Sequence, residues 1–424
     1  MRRAPAAILV VIALAAGVGI GVLAGRVALA PAAAQPSSLA NASASAGAGG
    51  SPSGSGGSPS DSGLAPSGSP SPSPSPTPVP TPVLVADPLD GVLVAPAVAK
   101  RHVIAVMIDD QQDARPQSGL SAASQVWQAP AEGGIPRYVA LFSEGDPPAV
   151  GPIRSSRLYF IAWAAEWNAV YMHVGGSPQA LALLRTSQGA GKAVWNADEI
   201  RLGDTYMWRI RTRFAPHNMY SNAKSMRLLV KAVHAPVSVS YQAHWQFAPD
   251  APPEQRPSSG SIRVPYLANV ITYAYQPSTN TYLRSVSVEG KQFDAGPMPK
   301  VRIAPKNVVV LFMSFAPLND GSNDGRLEAQ YTGTGKAWVF TNGALVKGTW
   351  KKKSLTAPTL LLGPDGTPVT LAVGQTFVQV VQIGTGVTYK LGTVPPPSPS
   401  PSPSGQPSPS ASPVGMVGDW RLVL

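Results

Sequence analysis

Two Ser/Pro/Gly tracts decide how much of this chain is able to fold. One runs from Gln35 to Pro82 and ends in SPSPSPTPVPTP; the other runs from Pro395 to Pro413. Neither carries enough large apolar side chains to offset the entropy of ordering, so each is expected to be an extended, polyproline-like spacer. Between them, from Val83 to Val394, the composition is that of a folded protein, with enough length for one large or two medium cores.

Ahead of the first tract, Met1-Arg2-Arg3 precedes an uncharged apolar run from Ala6 to Ala24, and the next charge is Arg26. At about 1.5 Å per helical residue this run nearly crosses a hydrocarbon core. Arg2 and Arg3 place the N-terminus in the cytoplasm by the positive-inside rule. The expectation is a single-pass helix in the cell membrane with the rest of the chain extracytoplasmic. The alternative is a signal peptide cleaved near Ala34, after Ala32-Ala33-Ala34, which exports the remainder as a secreted protein. The chain then divides into an anchor or signal segment (1–34), a linker (35–82), an N-terminal α/β domain (83–255), a β-rich C-terminal domain (256–394) and a low-complexity tail (395–424).

No cysteine is present, which excludes a disulfide framework, a thiolate nucleophile and any Cys-based metal site. The net charge of +11 favours an acidic partner, such as an anionic membrane surface, a cell-wall polymer or an envelope protein. Nucleic acid is not expected, because the chain is exported and shows no zinc-finger or RNA-recognition signature. No cofactor or metal motif appears.

The first half alternates strand and helix patterns, which predicts an α/β (or α+β) layered domain. Strands are expected at 102–109, 137–143 and 169–174. Helices are expected at 118–129, 155–167, 178–185 and 221–234, with Ser177 as N-cap and Pro178 at the first helical position of the third. The second half reads as β-rich and mostly antiparallel: a hairpin over 271–286, strands at 306–315 and 376–381, a turn at Pro364-Asp365-Gly366, and a hairpin at Asn342-Gly343 within 335–350. Whether the two halves share a sheet is not readable from these patterns.

The polar residues that call for explanation lie at strand ends and turns in the first half. Asp109 closes the first strand and is followed by Arg115, Gln117 and Ser118, at the sheet edge where open α/β sheets bind ligands. Glu132 and Arg137 flank a glycine pair. Arg154, Ser155 and Arg157 follow a Gly-Pro turn at an expected helix start, where free amides attract anions. His173 and Ser177 flank a strand-to-helix junction, and His217-Asn218 precede another helix. Arg115, Gln117, Ser118, Arg137, Arg154, Ser155, Arg157, Ser177 and Asn218 are thus candidate ligand-binding residues. Asp109, Glu132, His173 and His217 are candidates for acid/base work. No G-x-S-x-G, H-E-x-x-H, P-loop or G-x-G-x-x-G signature is present.

Three stretches of the first half, VMIDDQQDARPQSGLSAASQVWQAPAEGGIPRYVALF, GPIRSSRLYFIAWAAEWNAVYMHVGGSP and APHNMY, closely resemble the bacterial YerB-like family, whose members are designated lipoproteins. In the second half GTGKAWVFTNGALVKGTWKK and GQTFVQVV are similar to that family's C-terminal part. The resemblance runs in order from about Asp87 to Val381. It implies an envelope-associated extracytoplasmic protein with a mixed N-terminal domain and a β-rich C-terminal region. The family pattern is departed from in two respects: without cysteine there is no lipid-attachment site, so anchoring falls to the peptide segment itself, and Ala129-Pro130-Ala131 precedes Glu132 where relatives tend to carry a Glu a few residues earlier, which counts against a mechanism that needs a second carboxylate there. Three functions fit these residues: an envelope module binding an anionic or glycan ligand or a wall-synthesis partner, a hydrolase or transferase acting on a cell-wall polymer, and a structural scaffold.

Overall fold

The computed structural model describes residues 82–395, apart from 190, 191 and 323. The expected membrane segment and nearly all of the linker and of the C-terminal tail lie outside the described residues. Among the described residues no helix is long and apolar enough to cross a membrane.

The described chain is β-rich with few, short helices. Its spine is one ten-stranded mixed sheet that draws on both halves of the sequence. From one edge to the other the strands are Leu360–Leu362, Ala344–Lys352, Gly333–Thr341, Asn307–Met313, Thr376–Gln382, Gln125–Pro130, Pro136–Phe142, Ile104–Asp109, Val170–His173 and Trp195–Asp198. The halves therefore join inside the sheet, where strand 376–382 runs parallel to strand 125–130. Strand 376–382 is also parallel to 307–313, so the C-terminal half is not purely antiparallel in this layer. Strands 104–109, 170–173 and 195–198 are mutually parallel, and helix Pro178–Thr186 makes the crossover between the last two. This is the α/β part of the expectation, confined to one end of the sheet.

Side chains alternate across the strands and feed two apolar layers. On one face Ile104, Val106 and Ile108 pack with Tyr138 and Ala140 beneath a second sheet and the helix Ala223–Ala232. That second sheet is five-stranded and antiparallel: Gly290–Lys291, Thr281–Val286, Val270–Gln276, Gly260–Pro265 and Thr388–Leu391. On the other face Ala105, Met107, Val139 and Leu141 meet helix Leu158–Ala165, in which seven residues are buried. Trp127 stacks on Trp163 at 5.0 Å between ring centres. Burying a side chain such as Phe160 or Ile161 contributes roughly 1.5–3 kcal/mol, so this layer holds the helix against the sheet.

Two local expectations are corrected. Residues 118–129 are not a helix. A short 3-10 turn at Leu120–Ala122 leads into strand 125–130 at the centre of the sheet. Gly119 sits at φ +93°, and the Asp294 carboxylate takes the amides of Gly119 (2.9 Å) and Ser121 (2.7 Å). Strand partners on both sides then satisfy the backbone of Val126, Trp127 and Gln128 and override the helical spacing. Second, the helix expected from Ser155 begins only at Leu158. Arg154 N donates to Met107 O and Ser156 N to Gly175 O, so residues 154–156 are extended chain tied to the strand ends. The free helix amides invoked for anion binding are therefore absent at Arg154 and Ser155. Ser177, by contrast, caps its helix as expected, accepting from Ala180 N at 3.3 Å with Pro178 in the first turn.

Candidate functional site at the end of strand 104–109

Asp109 is the last residue of its strand and pairs in register with Arg137 on the neighbouring strand. Its carboxylate is almost wholly buried. Oδ2 lies 2.7 Å from His217 Nδ1 and 2.9 Å from Arg154 Nε. The Arg154 contact is ionic only: the N–H points off the hydrogen-bond direction and has no acceptor, although 22% of that side chain stays exposed. His217 keeps 12% of its side chain exposed and forms no hydrogen bond through Nε2 among the described residues.

Beside this group, Glu132 accepts from both Arg137 and Arg157, and Arg137 also donates to Ser155 O at 3.1 Å. Burial alone would raise the Glu132 carboxyl; the two guanidiniums outweigh it and bring the group down to about 2. Burial, with the charge of Arg157 second, lowers Arg137 to about 10. Strand order thus brings Asp109, Glu132, Arg137, Arg154, Ser155, Arg157 and His217 to one sheet edge. Three guanidiniums there face two carboxylates.

The remaining candidates stand elsewhere. His173 is wholly buried, with Nδ1 2.7 Å from Gly175 O and Nε2 2.7 Å from Asn196 Oδ1, so both ring nitrogens are engaged. Ser118 pairs its backbone with Gly151, and Ser177 caps a helix. Asn218 accepts from Arg209 at 2.8 Å and donates to the carbonyls of Ile210 and Arg213, closing a hairpin. Arg115 and Gln117 turn inward, to Asp110.

Asp110 belongs to a buried polar layer between the two sheets. It accepts from Arg115 Nε (3.0 Å), Gln117 Nε2 (3.1 Å), Gln128 Nε2 (2.6 Å) and Asn269 Nδ2 (3.2 Å). Arg284, fully buried, extends the layer through Gln128 Oε1 (2.6 Å), Gln292 Oε1 and Tyr273 OH (3.1 Å). Reading the sequence for loops at strand ends missed this layer. Its signal was present, because Arg284 falls in phase with Tyr282 and Val286 on the inward face of its strand. Also missed was a carboxylate group of Asp87, Asp90 and Glu144, the one set among the described residues close enough to share a cation. Burial is the main cause raising Asp87 to about 6 and Asp90 to about 8.

The two sequence halves that share this sheet each match a family model. Residues 89–235 match the family model described as "Protein of unknown function (DUF3048) N-terminal domain", and residues 262–378 match its C-terminal counterpart. The chain belongs to this two-part family. Among curated proteins it is similar to "Putative lipoprotein YerB" of Bacillus subtilis (strain 168), with 27% identity over 299 residues covering 69% of this chain and 85% of that protein. Among solved structures it is similar to the crystal structure of the YerB protein from Bacillus subtilis, with a TM-score of 0.62 and 24% identity, covering 72% of this chain and 99% of that one. The structural likeness speaks for the fold.

Proposed function

We propose that the protein is an extracytoplasmic envelope module that binds an anionic group of an envelope polymer or partner at Arg154. The single observation that carries this reading is the state of Arg154. Its guanidinium side chain is partly exposed at a sheet edge and meets a buried carboxylate through an ionic contact alone, not a hydrogen bond. Guanidinium donors in that state favour a carboxylate or phosphate over water. Arg137 and Arg157 add positive charge from behind while Glu132 holds them in place. Extracytoplasmic placement is supported by the lipoprotein designation of the Bacillus subtilis relative and by the apolar run at 6–24. The test is retention on purified cell-wall polymer at low salt. Arg154→Ala is expected to lose about tenfold in affinity, and unchanged retention rejects the reading.

A second reading draws on one specific observation. The buried Asp109 orients His217 through Nδ1 and leaves Nε2 open, the arrangement of a general base. On this reading the anion held by Arg154 is hydrolysed or transferred. His173 cannot take part, so His217 would act alone. Release of product from wall polymer by the wild type, lost in His217→Ala, separates it from simple binding.

A further inference from the structure

From Thr205 to Pro249 the chain carries six Lys or Arg residues and no Asp or Glu. Three of the six, Arg209, Arg211 and Arg213, fall in one hairpin. Its arms are Trp208–Arg209 and Met219–Tyr220, paired antiparallel, and its end is closed by the amide of His217 donating to Phe214 O at 2.9 Å. The hairpin is held firmly to the rest of the fold by residues of its closed end. His217 meets Asp109, Arg213 donates to the carbonyls of Asp113 (3.2 Å) and Pro116 (2.8 Å), and Asn218 ties its interior together. The partners of Arg209 and Arg213 are neutral oxygens, which leaves the guanidinium charge standing. Glu289 lies near enough to Arg213 to feel its charge. Arg211 is exposed, and beside it Phe214 is 92% exposed at the tip.

An exposed phenylalanine alone calls for no explanation. Here it stands among guanidiniums, three residues from the histidine that shares a carboxylate oxygen with Arg154. We infer that this hairpin is an arm that grips a polyanionic glycan chain, with Arg211 and Arg209 holding charges beyond the one at Arg154 and Phe214 lying against a sugar face. The inference rests on the anion-binding reading above and names its ligand class. A single small anion would use Arg154 and leave the arm idle. A planar anionic bilayer would be met chiefly by the 92%-exposed Phe214 rather than by Arg154, whose side chain is 22% exposed, and one phenylalanine buries little apolar area for interfacial binding. A flexible charged chain reaches both.

The test titrates the whole protein with heparin, a sulfated glycan, and with inorganic polyphosphate, which has no sugar, at several salt concentrations. Arg211→Ala is expected to bind both about fivefold more weakly, with a salt dependence shallower by about one counterion. Phe214→Ala is expected to bind heparin about fivefold more weakly and polyphosphate as the wild type does. Lys231→Ala, which removes an exposed cation on helix 223–232, is expected to change neither. Both arm residues are exposed, so thermal melts unchanged from the wild type confirm folding. The inference is overturned if Arg211→Ala and Phe214→Ala bind heparin like the wild type, or if Lys231→Ala weakens binding as much as Arg211→Ala. It is also overturned if the protein sediments with phosphatidylglycerol vesicles through Phe214 while heparin binding is insensitive to it. Failure of the arm leaves Arg154→Ala defective; failure of the underlying reading leaves Arg154→Ala binding normally.

Discussion

Asp109 and Asp110 are neighbours in the chain and live in different chemistry. Asp109 turns to the sheet edge, where its partners are the Gln111 amide, an ionic contact with Arg154 and a histidine whose second nitrogen is open. Asp110 turns inward, where one guanidinium and three amide side chains donate to it and join it to the C-terminal half. One carboxylate organises positive charge that remains available; the other is consumed by the interior. The difference teaches that charge near a strand end is not by itself a site. What separates the two is exposure of the paired guanidinium: 22% of the Arg154 side chain against 7% of Arg115.

The largest effect that would sharpen this contrast is on Asp110. Asp110→Ala leaves Arg115 and three amides buried without their acceptor and is expected to cost about 3–5 kcal/mol, read as a lower midpoint in denaturant unfolding. Asp109→Asn is expected to cost far less and to raise anion affinity several-fold, because it removes the carboxylate that competes for Arg154. Equal destabilisation by the two changes would break the comparison.

Acidity gives the next test, with opposite signs in two regions. Glu132 is held at about 2 against an ordinary 4.5, so its contribution is present above about pH 4.5 and is lost as the pH falls toward 2. Glu132→Gln should flatten that acid limb, worth up to about 2–3 kcal/mol. Asp87 and Asp90 are raised to about 6 and about 8, so the fold favours their protonated forms and stability declines as the pH rises from about 4 through 8. Asp90→Asn should reduce that decline, measured by unfolding across the pH range. The smallest effect is at Ser177: Ser177→Ala is expected to cost about 1 kcal/mol as a lost cap and to leave anion binding unchanged.

Much of the local structure was legible. The Asn342-Gly343 turn carries positive φ at both residues and joins the two longest strands, as that dipeptide implies. The Ser177-Pro178 helix start was equally plain, because cap chemistry is local. Strand 125–130 was misread as helix because its apolar spacing is ambiguous and only its partners on both sides settle it. Of the candidate site, the polar and charged residues were legible as types at strand ends, and the structure places seven of them together. Which residues face outward was not legible: Arg115 and Gln117 go to the interior, and His173 is sealed beneath the strand end.

The chain by itself determined its low-complexity tracts, its lack of thiol chemistry, its positive balance, its turns and most of its strands, since each depends on residues close in sequence. Only the tertiary structure decided that both halves build one sheet, and that Asp109 serves an edge while Asp110 serves the core. Those outcomes depend on strand 376–382 lying beside strand 125–130, a pairing of residues some 250 positions apart. No local pattern encodes such a pairing, because it is set by which faces can bury one another once the elements exist.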